Sequence, residues 1–328
     1  MSGAVEFVLD GGLRAKAQRW LDEPVDAPVE QPAATVMLVR DASAPDASAP
    51  DASAPDASAP DASAADVPAP DASVPDVSLP DVSAPDVSAS RASGGVEVFV
   101  MRRVRTMAFA PDVTVFPGGR VDERDDDPAL PWLGPDPDRW AASLGVEEAL
   151  ARRLLVSAAR EVFEECGVLL ATDTDGHEPD DVSGKSWQQQ RDALVRHEIG
   201  FADLLADRGL ALRTDLLRAR ARWVTPRFES RRYDTFMFLA RVPAGQSPDG
   251  RTSEAQTCGW ERPGDLLSQA EAGRIALLPP TLHQVRWLAT GGGVDALLAA
   301  PAPEPLPRVL PVPVRRDHDV VLVCAEDS

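Results

Sequence analysis

Ten near-identical pentapeptides between residues 41 and 90 place the strongest constraint on how this chain can fold. Each begins with aspartate and most end with proline, as in DASAP and DVSAP. Proline removes a backbone donor and blocks helix, and alanine, serine and aspartate offer little apolar area to offset the entropy of ordering. We therefore expect residues 41–93 to be a disordered insertion rich in polyproline II, and an inert insertion is favoured over a partner-binding arm.

The two segments that flank the repeat have the composition of β-strands. Residues 33–40 read AATVMLVR and residues 95–103 read GVEVFVMRR, with turn-forming residues outside each segment. The repeat is therefore expected in a hairpin connection between two strands of one domain. A long insertion is tolerable there because the entropy of closing a loop grows only logarithmically with its length.

Further along the chain, strands and helices alternate, which indicates an α/β domain. Gly167 is expected to end the longest helix, and Cys166 to be a core thiol. The expected helices cover residues 11–23, 146–166, 187–205, 212–222 and 282–288, a strand covers 233–242, and a loop follows as far as Trp260. The expected divisions are a lead segment at 1–31, a domain at 32–300 and a proline-rich tail at 301–328, lying on the surface or adding an edge strand.

Charge and composition argue against several classes of protein. The formal net charge is −20, and only ten of these negative charges lie in the repeat, so nucleic-acid binding is disfavoured as the main role. Cys166, Cys258 and Cys324 lack the spacing of a zinc site or a disulfide framework. No apolar run reaches the roughly 20 residues that span a bilayer, and residues 1–30 lack the pattern of a signal peptide. We therefore expect a cytoplasmic protein without membrane or nucleic-acid partners.

One helical segment carries a chemically distinctive pattern. In AAREVFEECGV, residues 158–168, Glu161, Glu164 and Glu165 recur at i, i+3 and i+4, so their carboxylates share one side of the helix. Like charges so placed repel one another, and a divalent cation would turn this cost into a gain. Oxygen ligands suit Mg²⁺ or Mn²⁺. For this segment taken alone, a solvated acidic face is the alternative.

Together with the upstream PGGRVD, this pattern resembles the Nudix box of the Nudix hydrolases. The box normally has a much shorter spacer than the 40 residues found here between Gly119 and Arg160. Asp125 stands at the nominal position of the box's intermediate glutamate, and the resemblance assigns no role to it or to Asp122. The residues that match the box are Gly119, Arg160, Glu161, Val162, Glu164, Glu165, Gly167 and Val168.

A split box of this kind is typical of one Nudix branch, the peroxisomal coenzyme A diphosphatases of animals and their bacterial relatives. The resemblance implies a Nudix α/β/α sandwich around a mixed β-sheet, a homodimer, and hydrolysis of the diphosphate in a small-molecule nucleoside diphosphate derivative. Further segments that resemble this branch are residues 107–119, 158–171, 223–226, 231–240 and 277–281.

The resemblance also implies roles for the residues of the box. Glu161, Glu164 and Glu165 would hold Mg²⁺ or Mn²⁺, and Arg160 would pair with one of these glutamates and orient it. The glycine pair 118–119 would let its loop bend close beside the metal helix, where a Cβ would clash.

A base and substrate cations are expected outside the box. Glu254 is the candidate catalytic base, with Glu229 and Glu261 as alternatives. Arg103 and Arg232 are the favoured phosphate-binding residues, although Arg105, Arg120 and Arg231 also carry suitable charge. Gly118 and Gly119 complete the expected substrate site. Phe109 and Tyr233 could stack on an adenine, but core packing is the favoured role for both, and the four histidines receive none.

Three functions fit this sequence. Hydrolysis of coenzyme A or acyl-CoA is favoured by the branch resemblance. Hydrolysis of NADH, ADP-ribose or a dinucleoside polyphosphate would use the same chemistry on another ligand. A non-catalytic ligand-sensing or scaffold module is disfavoured, because such a module has no need to keep three mutually repelling carboxylates.

Overall fold

The computed structural model describes residues 5–9, 11–42, 95–104, 112–179, 181–317 and 319–324. The strands in these ranges are β1 (Val5–Leu9), β2 (Gln31–Asp41), β3 (Val96–Arg103), β4 (Thr114–Val115), β5 (Gly118–Arg120), β6 (Trp132–Leu133), β7 (Ala171–Thr172), β8 (Ala211–Arg213), β9 (Leu217–Val224), β10 (Tyr233–Arg241), β11 (Ala255–Glu261), β12 (Arg308–Val309), β13 (Val312–Arg316) and β14 (Asp319–Cys324). The helices are α1 (Gly11–Asp22), α2 (Pro137–Leu144), α3 (Glu148–Cys166), α4 (Lys185–Val195), α5 (Phe201–Asp207), α6 (Pro263–Glu271), α7 (Pro279–Ala289) and α8 (Val294–Ala299).

A mixed sheet of eight strands forms the centre of the described fold. Its main path runs in the order β11–β3–β2–β10–β9–β12, while β4 pairs with β3 and β5 pairs with β2. The pairs β2–β10 and β9–β12 are parallel, and the other pairs are antiparallel.

The side chains of β2 and β10 alternate between two cores, because successive residues of a strand point to opposite faces of the sheet. Val36 and Phe238 lie in the core beneath α3, whereas Met37 and Leu239 lie in the core on the other face. Because both faces are covered, these strands read in sequence as nearly continuous apolar runs.

Helices cover both faces of the central sheet. Residues of α2, α3, α4 and α5 pack into one core, and residues of α1, α6, α7 and α8 pack into the other. The fold is therefore an α/β/α sandwich around a mixed sheet, and the predicted fold class is confirmed. None of the described helices combines the length and the apolar character needed to cross a bilayer.

Helix α3 is buried along most of its length. Leu155, Ala159 and Val162 lie in the core, as their spacing predicts. Gly167 takes a left-handed conformation with φ of 71° and donates its amide to the carbonyl of Phe163 at 2.9 Å, which ends the helix. Cys166 is buried in the same core, so the prediction of a core thiol is confirmed, and this burial raises the pKa of the thiol well above its usual value.

The two ends of the described chain meet in a separate three-stranded sheet. β14 pairs antiparallel with both β1 and β13, and Phe7 and Leu322 are buried in the core on the face opposite α3. β12 adds to the edge of the central sheet beside β9. The expected edge strand is thus found, but the sequence did not predict the pairing of β1 with β14.

Three secondary-structure predictions were wrong. The helix expected at 212–222 is instead part of β8 and of β9, where small or apolar residues alternate with arginine as in a strand. The helix expected at 187–205 is broken into α4 and α5, and His197 between them has φ of 61°. The loop expected to reach Trp260 contains β11, and α6 was not predicted.

The long insertion joins two neighbouring strands, as expected. β2 and β3 are antiparallel, Asp41 pairs with Val96, and Ala42 donates its amide to the carbonyl of Gly95 at 2.7 Å. The hairpin prediction is therefore confirmed. The conformation predicted for the repeat itself falls on residues 43–94, outside the described part of the chain.

Deleting residues 44–88 is expected to leave the stability of the fold almost unchanged. The seven residues that remain between Ala42 and Gly95 are enough to close a hairpin whose ends already pair. Equilibrium urea unfolding should give the same midpoint for the deleted and full chains. A large fall in the midpoint would show that the repeat stabilises the domain.

Candidate active site

The glycine strand β5 lies against α3 because it pairs with β2. Gly118 is opposite Thr35 and Gly119 is opposite Ala34. A Cβ on Gly119 would overlap the carboxylate of Glu161, so only glycine leaves that carboxylate its place. The amide of Gly118 donates to Oε2 of Glu165 at 2.7 Å. The two glycines predicted to approach the metal helix do so, each beside a different glutamate.

Arg160 is the centre of the charged cluster on α3. Its side chain is 7 % exposed, and its Nη1 donates to Oε1 of Glu161 at 2.8 Å and to Oε2 of Glu164 at 3.3 Å. Nη2 also donates to the carbonyl of Arg120 on β5 at 3.0 Å. Burial opposes the charge of Arg160, but its bonds to Asp125 and the nearby glutamates raise its pKa above the usual value. Arg160 therefore pairs with two glutamates, Glu161 and Glu164, where the sequence predicted one such pair.

Asp125 is the third carboxylate bound to Arg160, and the family resemblance assigned no role to it. Its Oδ1 accepts from Nε of Arg160 at 2.8 Å and its Oδ2 from Nη2 at 3.0 Å. Asp125 is 1 % exposed and lies in a short 3₁₀ turn, where its Oδ2 also accepts the amide of Asp122 at 2.9 Å. Asp122 itself pairs with Arg124 at the surface. The position of the box's intermediate glutamate is therefore occupied by a residue that orients Arg160.

The three glutamates of α3 hold their protons more tightly than free glutamates do. Burial, followed by the charge of Glu164, raises the pKa of Glu161 to about 7 despite the opposing effect of Arg160. Burial also raises the pKa of Glu164, and burial together with the charge of Glu161 raises that of Glu165 well above its usual range. The cluster has more negative charge than Arg160 balances.

These residues fit a divalent cation. Oε1 of Glu164 is buried without a hydrogen-bond partner among the described residues, and Glu165 is buried. An oxygen-only donor set with an excess of negative charge is the environment that Mg²⁺ and Mn²⁺ prefer.

The carboxylates of α3 are not gathered around a single point. Arg160 holds Glu161 and Glu164, whereas Glu165 is turned to the amide of Gly118. Within the described ranges, one group of three acidic or histidine side chains has its donor atoms within 4.8 Å of one another, and it lies in the loop after β7. That group is Asp173, Asp175 and His177; two of its members are exposed, and nothing else in the structure points to a ligand there.

Glu254 and Arg103 lie on the Glu165 side of the cluster. The carbonyl of Glu254 accepts the amide of Val104 at 3.0 Å at the end of the β3–β11 pair, and Nη2 of Arg103 lies 3.7 Å from Oε2 of Glu254. The charge of Glu254 raises the pKa of Glu165 and that of Arg103 lowers it, after the larger effects of burial, Glu161 and the Gly118 amide. The candidate base and one candidate phosphate ligand are therefore close to a candidate metal ligand.

Arg232 has a different setting from the one expected of a substrate ligand. The side chain is buried, and its Nε and Nη1 donate to the carbonyls of Thr225 and Pro28 at 3.1 and 2.9 Å. Its Nη2 lies 2.8 Å from Oε1 of Glu30. These contacts tie the segment before β2 to the turn before β10, so the structure favours a structural role for Arg232 over the predicted substrate contact.

The two alternative candidates for the catalytic base accept hydrogen bonds from side chains of other helices. Glu229 accepts from Nζ of Lys16 on α1 at 2.9 Å, and Glu261 accepts from Nε2 of Gln269 on α6 at 3.4 Å. Arg105 and Phe109 lie outside the described residues.

Sequence reasoning missed one contact beside the cluster. Nη2 of Arg124, which also pairs with Asp122, contacts Nδ1 of His197. The two residues are 73 positions apart, and neither belongs to a motif, so no local signal could have paired them.

The chain is similar to known proteins over part of its length. Residues 136–288 match the family model described as the NUDT19 Nudix domain. The matched region contains α3, and over this part of its length the chain is similar to the Nudix hydrolases. A NUDT19 protein, of the branch that the split box resembles, is also among the similar proteins.

Two curated relatives illustrate the relationship. The chain is 30 % identical over 194 residues to putative nudix hydrolase 7 of Caenorhabditis elegans, which covers 58 % of this chain and 55 % of that protein. It is 21 % identical over 229 residues to the acyl-coenzyme A diphosphatase NUDT19 of Xenopus laevis, which covers 58 % of this chain and 59 % of that protein. The chain thus spans little more than half the length of these relatives.

A solved structure supports the fold. The crystal structure of a NUDIX hydrolase from Alicyclobacillus acidocaldarius superposes with a TM-score of 0.57 and 23 % identity, over 84 % of this chain and 97 % of that one. At this identity the likeness concerns the fold alone.

Replacing Asp125 with Asn is expected to destabilise the protein by about 3 kcal/mol, because a charged partner of buried Arg160 is lost. The exposed neighbour Asp126 provides the control, and Asp126→Asn should change the free energy of unfolding by less than about 0.5 kcal/mol. Urea unfolding of both variants measures this. Equal midpoints for the two would contradict the role of Asp125.

In protein stripped of divalent cations by a chelator, stability should fall as the pH rises from about 4.5 to about 7. The reason is that the folded state raises the pKa of Glu161 to about 7, so it holds a proton that the unfolded state releases. The effect of Glu161→Gln on the free energy of unfolding should therefore be about 1–3 kcal/mol more stabilising at pH 8 than at pH 5. Thermal unfolding across this range tests the sign, and Glu271→Gln, at an exposed position on α6, should show no such dependence.

Proposed function

We propose that this protein is a divalent-metal-dependent hydrolase that cleaves the diphosphate of a nucleoside diphosphate linked to another moiety. The favoured substrate is coenzyme A or acyl-CoA, with 3′,5′-ADP and a 4′-phosphopantetheine compound as products. The observation that carries the proposal is the acidic cluster on α3, in which Arg160 bonds to Glu161 and Glu164 while the amide of Gly118 bonds to Glu165. The likeness to the X. laevis acyl-coenzyme A diphosphatase supports the choice of substrate.

In this proposal the residues of α3 and β5 build the metal site. Glu161, Glu164 and Glu165 would hold Mg²⁺ or Mn²⁺, and Arg160 would keep the first two oriented through its present bonds. A bound divalent cation would neutralise negative charge that develops on the phosphate oxygens. The amide of Gly118 would fix Glu165 through the bond it already makes.

The remaining roles fall to residues near Glu165. The carboxylate of Glu254 would accept the proton of the attacking water, and its 52 % exposed side chain leaves it accessible to that water. Arg103 would bind a substrate phosphate, since its guanidinium lies 3.7 Å from Glu254 and its charge acts on Glu165. The expected homodimer and cytoplasmic location stay predictions.

Replacing Glu164 with Gln should lower kcat by about 100-fold or more, because a charged group aimed at the reaction centre is lost. Chromatography would follow the products from CoA, acetyl-CoA, NADH, ADP-ribose and diadenosine polyphosphates with Mg²⁺ or Mn²⁺ present. Glu148→Gln, at an exposed position in the first turn of the same helix, is the matched control and should keep full activity.

Each outcome of this experiment selects one function. Release of 3′,5′-ADP from CoA compounds alone would support the proposal in full. Faster hydrolysis of another substrate would keep the metal site and refute the CoA assignment. Absence of turnover with every substrate would favour the ligand-sensing alternative.

A further inference from the structure

Arg191 on α4 is a buried charged residue outside the cluster described above. Its side chain is 2 % exposed, and such a charge must be paired to be tolerated. Nη1 donates to both oxygens of Asp249 at 2.8 and 2.9 Å. Nε donates to the carbonyl of Glu164 at 2.9 Å, and Nη2 donates to the carbonyl of Arg251 at 3.3 Å.

These bonds connect two segments that carry proposed site residues. One segment is the C-terminal end of α3, which contains Glu164 and Glu165. The other is the loop between β10 and β11, which leads to Glu254. A planar guanidinium can bond to both segments at once because its donors point in fixed, different directions.

Backbone contacts reinforce the same connection. The amide of Asp249 donates to the carbonyl of Cys166 at 2.8 Å. Gln246 exchanges two hydrogen bonds with the backbone of Leu169, at 2.8 and 3.0 Å. A Cβ on Gly167 would meet Nη1 of Arg191 at 2.8 Å, so the glycine that ends α3 also makes room for this guanidinium.

The loop continues from Arg191 to Glu254 through local hydrogen bonds. Oδ1 of Asp249 accepts the amide of Arg251 at 3.2 Å, and Oγ1 of Thr252 accepts the amide of Glu254 at 3.2 Å. α4 itself is held on α3, since the rings of Trp187 and Phe163 pack edge to face with centroids 6.0 Å apart. A series of hydrogen bonds through Arg191, Asp249 and Thr252 therefore connects the end of α3 with the backbone of Glu254.

We propose that Arg191 is a positioning residue that fixes Glu254 relative to Glu164 and Glu165. This inference rests on the proposed function, in which Glu254 accepts a proton beside the metal site. An apolar residue at position 191 would fill the same space, but it would not specify where the loop that leads to Glu254 sits on the end of α3. Arg191 acts through Glu254 and touches neither substrate nor metal.

The test is a double-mutant cycle between Arg191 and Glu254 on the full chain. Arg191→Lys keeps the charge but cannot reproduce the four bonds, and it should lower kcat about 10- to 100-fold while KM changes about 3-fold or less. In the Glu254→Gln background, where the base is already lost, the same change should lower kcat by about 3-fold or less. If Arg191 acts on stability alone, Arg191→Lys should lower kcat by the same factor in both backgrounds. That result would overturn the proposal.

Two further variants keep this test interpretable. Asp249→Asn removes the same ion pair from its partially exposed side, and it should give the same pattern if Arg191→Lys does not fold. Arg213→Lys alters a similar two-bond pair, with Asp215, that touches neither α3 nor the loop before β11, and it should leave kcat unchanged. Full activity of Glu254→Gln would overturn the role of Arg191 together with that of the base.

Hydrogen exchange provides a readout that does not depend on turnover. In Arg191→Lys, the amides of residues 249–254 should exchange at least about 10-fold faster, while those of β2 and β10 stay protected. Unchanged exchange in residues 249–254 would overturn the inference even in an active enzyme. Absence of turnover by the unaltered chain on every substrate would instead refute the proposed function, and with it the catalytic consequence of the Arg191 link.

Discussion

The burial of several carboxylates around one guanidinium is the constraint on which the rest of this structure depends. Desolvating Arg160 is tolerable only while Asp125, Glu161 and Glu164 stay within bonding distance. These partners come from a 3₁₀ turn and from α3, which lie far apart in the sequence. The central sheet brings them together, because β5 pairs with β2 while α3 packs across both strands.

The same cluster is poorly arranged for stability. Glu165 is buried with a backbone amide as its donor, and Glu164 has an oxygen without a hydrogen-bond partner in the described structure. Protein stability alone would favour apolar side chains at such positions, and sites that work against stability are commonly kept for function. The surrounding sandwich must therefore supply the free energy that holds these groups in place, and the deep burial of α3 in the core provides it.

Patterns within short sequence segments predicted the elements whose formation depends mainly on neighbouring residues. β2, β3, β10, α3 and its glycine end follow from apolar runs, helical spacing and the freedom of Gly167, and the box motif located the cluster on α3. Contacts distant in sequence could not be found this way. Asp125 meets Arg160 only because a turn folds back over the helix. β9 was mistaken for a helix because alanine and arginine have high helix propensity, although their alternation is the pattern of a strand. Arg232 looked like a substrate ligand because its charge is visible in the sequence, whereas the carbonyls that bind it are not.

The pairing of β1 with β14 has a consequence for how the chain reaches this structure. Val5 pairs with Cys324, so more than 300 residues separate the partners along the chain. During synthesis β1 leaves the ribosome early, but its partner emerges only after the whole sandwich has been translated. The β1–β14 pair, which buries Phe7 and Leu9 in the second core, can therefore form only once the chain as far as Cys324 is available.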